Sequence, residues 1–255
     1  MKLATWNVNS LNVRLPHVLK WLEENPVDVL CIQETKLTDD KFPVAAIEAA
    51  GYHVVFSGQK TYNGVAILSK HPIADVVVNN PHYEDVQQRI LAATIAGMRI
   101  VCAYVPNGQA VGTDKYEYKL GWLKSFRDWL EAEAAIHPNL AVLGDYNIAP
   151  DDRDVHDPAA WKDQVLCSVP ERTALDALFN LGLCDSFRLF EQADKTFSWW
   201  DYRMLGFQKN KGLRIDHILL SAPLAKRCVS CVVDRAPRKW EQPSDHAPVI
   251  ATLSA

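Results

Sequence analysis

Two short segments near the end of the chain place a carboxylate next to an imidazole. Arg214–His217 contains Asp216 followed by a histidine, and Ser244–Pro248 contains Asp245 and His246. Each segment lies where an apolar stretch meets polar residues. Two carboxylates and an imidazole can hold a hard metal ion and activate water. These are the groups required to hydrolyse a phosphodiester bond.

Further polar side chains follow apolar, β-branched runs in the first half of the chain. They are Asn7 and Asn9, then Glu34, then Tyr104 and Asn107, and then Asp145 and Asn147. Polar groups that gather repeatedly at strand ends are the arrangement expected of a metal-binding cleft on a sheet. Each one alone is also an ordinary turn residue, and an Asp-Tyr-Asn string by itself usually marks only a turn.

Asp216 is harder to explain as a turn residue. It is flanked by Ile215 and Ile218, which predicts a partly buried position in a strand. A buried carboxylate needs a partner, and a histidine or another cation is the natural one. His217 is adjacent but points to the opposite face of a strand. We therefore expect the partner to come from elsewhere in the chain.

Short apolar runs recur along the chain and predict a mixed sheet with helices outside it. The runs are Lys2–Trp6, Val27–Gln33, Tyr52–Phe56, Gly64–Leu68, Ile73–Val78, Ile90–Ile95, Arg99–Val105, Ala141–Leu143, Arg214–Leu220, Val229–Val233 and Val249–Leu253. Apolar residues at helical spacing predict helices over Leu15–Glu24, Tyr116–Ile136 and Thr173–Leu181. Gly97 predicts a tight turn and therefore an antiparallel hairpin. The pattern indicates the α/β or α+β class.

Composition indicates one ordinary globular domain. The 255 residues are 48% hydrophobic and 23% charged, which suits a single domain over residues 1–255. No apolar run approaches the ~18 residues of a membrane span, and the first residues read directly into a strand without a signal peptide. The six cysteines are scattered, and the CxxC of Cys228 and Cys231 lies inside a strand-like run. We therefore expect a reduced, cytoplasmic protein with no membrane partner.

Charge is distributed unevenly along the chain. The net charge is −4, yet residues 195–240 carry ten Lys or Arg against three Asp. That segment is therefore +7 and the rest of the chain −11. Trp199, Trp200, Tyr202 and Trp240 lie among these basic residues, as in a surface that contacts a phosphate backbone and packs against bases or sugars. A solvated basic face with core tryptophans explains the same pattern equally well.

Eight strings occur in a fixed order, namely Thr5–Asn9, Gln33–Lys36, Tyr62–Ala66, Tyr104–Asn107, Gly144–Asn147, Phe197–Arg203, Gly212–Asp216 and Ser244–Pro248. In this order the chain resembles the endonuclease/exonuclease/phosphatase superfamily over essentially its whole length. Within that superfamily it resembles the exodeoxyribonuclease III branch of abasic-site endonucleases. The resemblance implies a four-layer αββα sandwich of two mixed sheets and Mg²⁺ or Mn²⁺ as the cofactor. It implies double-stranded DNA with abasic sites or 3′ ends as the substrate.

The resemblance also implies roles for individual residues. The metal set is Asn7, Glu34, Asp145, Asn147, Asp245 and His246, with Glu34 as the principal ligand. The catalytic set is Tyr104, Asp145, Asn147, Asp216 and His246. Asp145 orients or deprotonates water, with Asn147 beside it contacting the phosphate. His246 contacts the scissile phosphate while Asp216 holds its ring. Tyr104 hydrogen-bonds the phosphate, or acts as an acid if its pKa is lowered.

The set expected to contact DNA is Asn107, Trp199, Arg203, Lys209, Lys211, Leu213 and Ile215. In the resembled family, the positions of Trp199, Leu213 and Ile215 form an apolar pocket for an extruded abasic sugar. A sugar without its base pays little to leave the stack. Core packing is the competing explanation for Trp199. The basic residues of the set are expected to contact phosphates.

Two other functions are compatible with parts of the sequence. Another phosphodiesterase or phosphatase of the same superfamily, acting on a substrate other than DNA, would share the acidic residues and His246. The Trp199–Tyr202 string and the basic segment favour DNA. A non-catalytic DNA-binding module is expected to have lost a metal ligand, and none is lost. The balance between the nuclease activities stays open, Cys167 and Ser168 receive no role, and we expect a monomer.

Overall fold

The computed structural model describes all 255 residues, and its elements follow the apolar runs of the sequence. The strands in chain order are β1 (Lys2–Asn7), β2 (Val29–Gln33), β3 (His53–Ser57), β4 (Val65–Ser69), β5 (Ile73–Val78), β6 (Ile90–Ile95), β7 (Met98–Tyr104), β8 (Leu140–Asp145), β9 (Leu183–Asp185), β10 (Trp199–Trp200), β11 (Gly212–Leu213), β12 (Asp216–Ser221), β13 (Cys228–Val233) and β14 (Val249–Leu253). The helices are α1 (Leu11–Glu24), α2 (Val44–Ala49), α3 (Asp114–Ile136), α4 (Pro158–Trp161), α5 (Val169–Phe179) and α6 (Ala222–Ala225).

Twelve of these strands form two six-stranded mixed sheets. The first sheet has the order β13-β14-β1-β2-β4-β3, and the second has the order β5-β6-β7-β8-β12-β9. Each sheet contains one parallel pair, β1 with β2 and β7 with β8. β2 and β8 are buried along their whole length, which explains why both read as nearly continuous apolar runs. β10 and β11 form a separate two-stranded ribbon.

Three apolar cores make the fold four layers deep. The core between the sheets combines residues of both, such as Cys31 and Val249 from the first and Cys102 and Leu143 from the second. α1 and α2 cover the outer face of the first sheet, and α3 and α5 cover the outer face of the second. This is the αββα sandwich that the resemblance implied, so the fold prediction is confirmed. None of the helices is long and apolar enough to span a bilayer.

Strand register brings polar residues of both sheets to one edge of the sandwich. Asn7 and Gln33 are paired at the carboxyl ends of β1 and β2. Tyr104 and Asp145 are paired at the carboxyl ends of β7 and β8. Asp145 also pairs with Asp216, the first residue of the antiparallel strand β12. Because parallel strands end at the same edge of a sheet, these side chains gather there.

The predicted elements match the observed ones in their centres and differ at their ends. α1 begins at Leu11 rather than at Leu15, because the amide of Leu11 is anchored by a hydrogen bond to the carbonyl of Thr35. The hairpin is confirmed, with Ala96 and Gly97 at φ 49° and 76° between β6 and β7. The sequence pattern misses α2 and β9, which have 6 and 3 residues and are too short to show a periodicity.

Two glycines allow a matched test of this packing. A Cβ on Gly144 would overlap the carbonyl oxygen of Ala103 on the neighbouring strand β7. Gly121 lies inside α3 with no atom near the position of a Cβ. We expect Gly144→Ala to lower the free energy of unfolding by about 1–3 kcal/mol or more through overpacking. Gly121→Ala should raise it by about 1 kcal/mol through helix propensity. Urea unfolding measures both, and effects of the same sign would contradict the described packing.

Candidate active site

His246 and Asp216 form the buried centre of the polar edge. The carboxylate of Asp216 accepts a hydrogen bond from Nδ1 of His246 at 2.9 Å and another from the hydroxyl of Ser198 at 2.6 Å. Asp216 is 1% exposed and His246 is 4% exposed. The structure therefore supplies the partner that the sequence required for Asp216. With Nδ1 engaged in this way, Nε2 of His246 is directed towards Asp145, whose Oδ2 lies 3.7 Å away.

The surrounding carboxylates hold His246 as a cation. Burial alone would lower the pKa of His246, but the charges of Asp216 and Asp145 outweigh burial and raise the pKa to about 10. Burial raises the pKa of Asp145 to about 7, with the charge of Asp216 adding to the shift and His246 opposing it. The site therefore pairs a protonated imidazole with a carboxyl group that titrates near neutral pH.

Asn7 links the two sheets across the site. Its amide nitrogen donates to Oε1 of Glu34 and to Oδ2 of Asp145, both at 2.9 Å. Its amide oxygen accepts from the backbone N–H of Asn9 at 2.9 Å. Because both ends of the amide are engaged, its nitrogen rather than its oxygen faces the carboxylates. This arrangement favours Asn7 as a bridge between carboxylates over its predicted role as a metal ligand.

Glu34 is surrounded by hydrogen-bond donors. It follows β2 in the left-handed conformation, with φ 56°. Its carboxylate accepts from the hydroxyl of Tyr104 at 2.8 Å and pairs with Nζ of Lys36 at 2.9 Å. Burial alone would raise the pKa of Glu34, but Lys36 and the hydrogen bonds from Asn7 and Tyr104 lower it. Glu34 is therefore ionised at neutral pH, as a metal ligand must be.

Tyr104 is a neutral phenol in this arrangement. Burial and the negative charges of Glu34 and Asp145 raise its pKa well above the ordinary value. Its pKa is therefore not lowered, and a role of Tyr104 as an acid stays a prediction. The guanidinium of Arg89 lies 4.8 Å from the centre of its ring and helps to fix the ring at the end of β7. The role that fits this setting is that of a hydrogen-bond donor.

A tight turn after β8 holds Asn147 beside Asp145. The backbone N–H of Asn147 donates to Oδ1 of Asp145 at 2.9 Å, and Asn147 adopts φ 48°. Its side-chain nitrogen donates to the carbonyl of Val105 at 2.9 Å, and its oxygen accepts from Asn107 at 3.2 Å. The structure thus brings Asn107 and Asn147 to the site as expected. Because these groups are engaged within the protein, their contact with a phosphate stays a prediction.

The donor set at this edge fits a hard cation. One donor atom each from Asp145, Asp216 and His246 lies within 4.8 Å of the others, and Asn7 joins Glu34 to Asp145. Carboxylate oxygens dominate, and the raised pKa of Asp145 reflects a surplus of negative charge that a cation would neutralise. The predicted place of His246 among the metal ligands stays a prediction, since its Nδ1 is bound to Asp216 and only Nε2 is left to face an ion.

Asp245 lies on the rim of the site. Its carboxylate accepts from the indole N–H of Trp199 at 3.0 Å and from the side-chain nitrogen of Asn9 at 3.1 Å. The oxygen of Asn9 accepts from Nζ of Lys36 at 2.6 Å. A chain of donors and acceptors therefore runs from Asp245 to Glu34. Sequence reasoning assigned no role to Asn9 or Lys36, although both lie within the strings that carry the resemblance.

An apolar cluster lies beside the hydrolytic groups, with Trp199 on its margin. Its buried members are Ala149, Val155, Leu166, Cys167, Leu213 and Ile215. The β10–β11 ribbon pairs Trp199 with Leu213, and the backbone of Trp199 also bridges to His246. The three residues predicted to line a pocket therefore lie together. Cys167, which the sequence left unassigned, is buried in the same cluster.

The basic segment is less exposed than its composition indicates. Arg214 is 1% exposed, and its guanidinium donates to Asp154 and Asp185, both at 2.7 Å. Arg238 is 6% exposed and donates to a backbone carbonyl. The net charge of +7 therefore overstates the positive charge that a nucleic acid would meet at residues 195–240.

The three basic residues expected to contact DNA differ in their surroundings. Arg203 is exposed, but its guanidinium pairs with the neighbouring Asp201 at 2.6 Å. Lys209 and Lys211 are exposed. Lys211 lines a cavity of about 370 Å³ together with Trp199 and Arg203. The lysines are therefore the freer candidates for a phosphate contact.

The αββα sandwich with a buried acidic edge beside a histidine is the arrangement that the resemblance implied. Residues 4–246 match the profile described as the Endonuclease/Exonuclease/phosphatase family. The match covers most of the chain and includes the strand ends that carry the site. The chain belongs to this family.

Full-length relatives narrow the similarity further. Exodeoxyribonuclease III of Haemophilus influenzae is 38% identical over 265 residues, covering 98% of this chain and 99% of the relative. The 3′ phosphatase NExo from Neisseria, solved with a product DNA hairpin, is 46% identical with a TM-score of 0.98, and the match covers 100% of both chains. An AP endonuclease from Archaeoglobus fulgidus is 39% identical with a TM-score of 0.96, again over 100% of both chains. The chain is therefore similar throughout to nucleases of the branch that the sequence motifs indicated.

The ion pair of His246 and Asp216 predicts a pH dependence of stability. A histidine whose pKa is raised on folding stabilises the folded state fully below its unfolded pKa, and this stabilisation is lost as pH rises through the folded pKa. For His246 the window runs from 6.5 to about 10. We expect the stability advantage of the wild type over His246→Gln to shrink across this window in urea unfolding with a chelator present.

Asp216→Asn supplies the control for this experiment. Without this carboxylate, the effect of the same substitution of His246 should depend less on pH, with the charge of Asp145 left to raise the pKa of His246. An advantage of the wild type that stays constant from pH 6.5 to about 10 would contradict the ion pair.

Proposed function

We propose that this protein is a metal-dependent DNA repair nuclease. It hydrolyses phosphodiester bonds at abasic sites and removes nucleotides and blocking groups from DNA 3′ ends. The observation that carries the proposal is the buried group of Asp145, His246 and Asp216 at the sheet edge, with the apolar cluster around Trp199 beside it. Full-length similarity to an exodeoxyribonuclease III, a 3′ phosphatase and an AP endonuclease supports it.

Neighbouring side chains take different tasks because their environments differ. Asp216 fixes the ring of His246 through Nδ1 and keeps it charged, so Nε2 is free to donate to an oxygen of the scissile phosphate. Asp145 orients or deprotonates the attacking water, since its carboxylate lies 3.7 Å from Nε2 of His246, at the position that the phosphate must approach. Tyr104 donates its hydroxyl hydrogen near Glu34 and can transfer that bond to a phosphate oxygen.

We propose Mg²⁺ or Mn²⁺ as the cofactor, with Glu34 and Asp145 as its main protein ligands and Asp245 on the rim. Carboxylate oxygens are the ligands that these ions prefer. When bound, the ion neutralises charge on the phosphate undergoing hydrolysis. Asn7 keeps the two main carboxylates at a fixed separation, and Lys36 offsets part of the charge of Glu34.

The surroundings of the site suit damaged DNA. The cluster of Trp199, Leu213 and Ile215 is apolar and lies beside His246, and the half-buried Trp199 is the member that a sugar without its base would meet first. Lys211 lines a cavity together with Trp199, and both Lys209 and Lys211 are exposed to solvent. Contacts of these lysines with the DNA backbone would make affinity decrease as salt increases.

We further propose that residues 1–255 act as one domain, as a monomer, in the cytoplasm. All six cysteines are free, and Cys31, Cys102, Cys167 and Cys231 are buried. Free, buried thiols that pack as small apolar groups are typical of proteins from a reducing compartment.

Three DNA duplexes test the proposed activities. They carry an internal abasic site, a recessed 3′-hydroxyl end and a 3′-phosphate. We expect Mg²⁺ to support cleavage of all three and excess EDTA to abolish it. Glu34→Gln keeps the size of the side chain but loses its charge, so kcat should fall roughly 10²–10⁴-fold on each duplex while the melting temperature is retained. Glu23→Gln on the exposed face of α1 is the control and should leave kcat unchanged. Full activity in EDTA would refute metal dependence.

The pocket around Trp199 makes a second prediction about substrates. Only an internal abasic site must be extruded from a continuous duplex, so Trp199→Ala should reduce kcat/KM more on that duplex than on a recessed 3′ end. Trp199→Phe keeps an aromatic ring but loses the hydrogen bond to Asp245, and it separates packing from that bond. A large fall in melting temperature with equal proportional losses on both duplexes would show that Trp199 serves only to pack the core.

A further inference from the structure

A completely buried ion pair joins α3 to α5 behind the loops that carry the site. Nζ of Lys119 lies 2.5 Å from Oε1 of Glu171, and both side chains are 0% exposed. Burying two charges costs so much desolvation that apolar side chains of similar volume are often as stable in such positions. Stability alone therefore does not account for this pair, and its hydrogen bonds show what else it does.

Lys119 fixes the backbone of two loops at the site. Its ammonium donates to the carbonyl of Asn147 at 2.6 Å and to the carbonyl of Asn107 at 3.1 Å, in addition to Glu171. All three of its N–H groups are thereby used. Asn147 ends the turn that begins at Asp145, and Asn107 belongs to the loop after β7. The ammonium therefore fixes the two loops that carry Asn107 and Asn147.

Glu171 fixes a third loop, on the side of the apolar cluster. Its carboxylate accepts from the backbone N–H groups of Leu166 at 3.0 Å and Ser168 at 3.1 Å, and from the hydroxyl of Ser168 at 2.5 Å. Leu166 has φ 76°, a left-handed conformation that leucine adopts only when its surroundings impose it. Leu166 and Cys167 are buried members of the apolar cluster beside Trp199.

We propose that Lys119 and Glu171 are positioning residues. They fix the distance and orientation between the hydrolytic groups and the apolar cluster, and thereby favour cleavage at internal abasic sites. This inference rests on the proposed nuclease function. An internal abasic nucleotide must present its phosphate to Asp145 and His246 and place its sugar in the cluster at the same time. A terminal 3′-phosphate belongs to a strand end and tolerates a shift between the two.

An apolar pair would fill the same space without fixing the relative position of these loops. The carbonyls of Asn107 and Asn147 and the amides of Leu166 and Ser168 would lose their common partner. Catalytic geometry is sensitive to such changes, because a misplacement of ~1 Å can cost about a hundredfold in rate. The charged pair is therefore explained by the four backbone groups that it holds together.

The double substitution Lys119→Met/Glu171→Leu tests the inference, because it removes both charges and leaves neither unpaired. Melting temperature, KM and kcat are measured with Mg²⁺ on a duplex with an internal abasic site and on one with a 3′-phosphate. We expect the melting temperature to fall, because four backbone groups lose their hydrogen-bond partner, and KM to change little. The loss in kcat should be at least about tenfold larger on the abasic duplex.

A control variant removes the partly buried ion pair that joins β7 to α3. Arg99 and Glu133 lie 2.6 Å apart and hold no loop of the site. Arg99→Met/Glu133→Leu should leave the ratio of the two kcat values unchanged. Amide hydrogen exchange gives a readout that does not depend on activity. Residues 164–168 should exchange faster in the Lys119→Met/Glu171→Leu variant and not in the control.

The outcomes are distinguishable. Equal proportional losses on both duplexes, or unchanged exchange at residues 164–168, would overturn the positioning role and leave the nuclease function standing. A wild-type protein inactive on both duplexes would overturn the nuclease function itself. If the double variant does not fold, Glu171→Gln replaces it, because the amide keeps an acceptor for Lys119 and Leu166 but not for Ser168. The ratio of the two kcat values should then change in the same direction, by at least about threefold.

Discussion

Buried carboxylates held together at one edge of two sheets are the constraint on which the rest of the structure depends. Like charges in a poorly polarisable interior repel each other and lose their hydration. The amide of Asn7 and the cations of Lys36 and His246 offset these costs. Because Asn7 belongs to the first sheet and Asp145 to the second, the contacts that compensate the charge also hold the edge of the sandwich closed.

The same packing determines which groups carry a proton. Two carboxylates keep His246 charged, and burial raises the pKa of Asp145 to about 7. Tyr104 stays a phenol because the charges around it disfavour a phenolate. Residue types that are interchangeable in water thus acquire different functions from their surroundings, which is the general way in which enzymes carry out acid and base chemistry at one pH.

Local sequence patterns predicted the residues at the centre of the site. Features that depend on packing between distant elements could not be predicted from them. The position of Asp216 between isoleucines indicated a buried carboxylate that needs a partner. The polar residues that follow the other apolar runs completed the predicted site. The sequence could not give the direction of the Asn7 amide, which depends on contacts with both sheets. Lys119 reads as a surface residue of an amphipathic helix until α5 packs against it. Composition likewise cannot separate the buried Arg214 from the exposed Lys211.

The first sheet joins the two ends of the chain, since β1 lies between β2 and β14. β1 therefore completes its hydrogen bonds only when β14, which lies far away in the sequence, has docked beside it. Asp245 and His246 lie just before β14 in the sequence, so they reach the site only when β14 joins the sheet. Glu34, Asp145 and Asp216 therefore form an incomplete site until the segment that carries Asp245 and His246 has docked beside them. Assembly of the site and closure of the first sheet are one event.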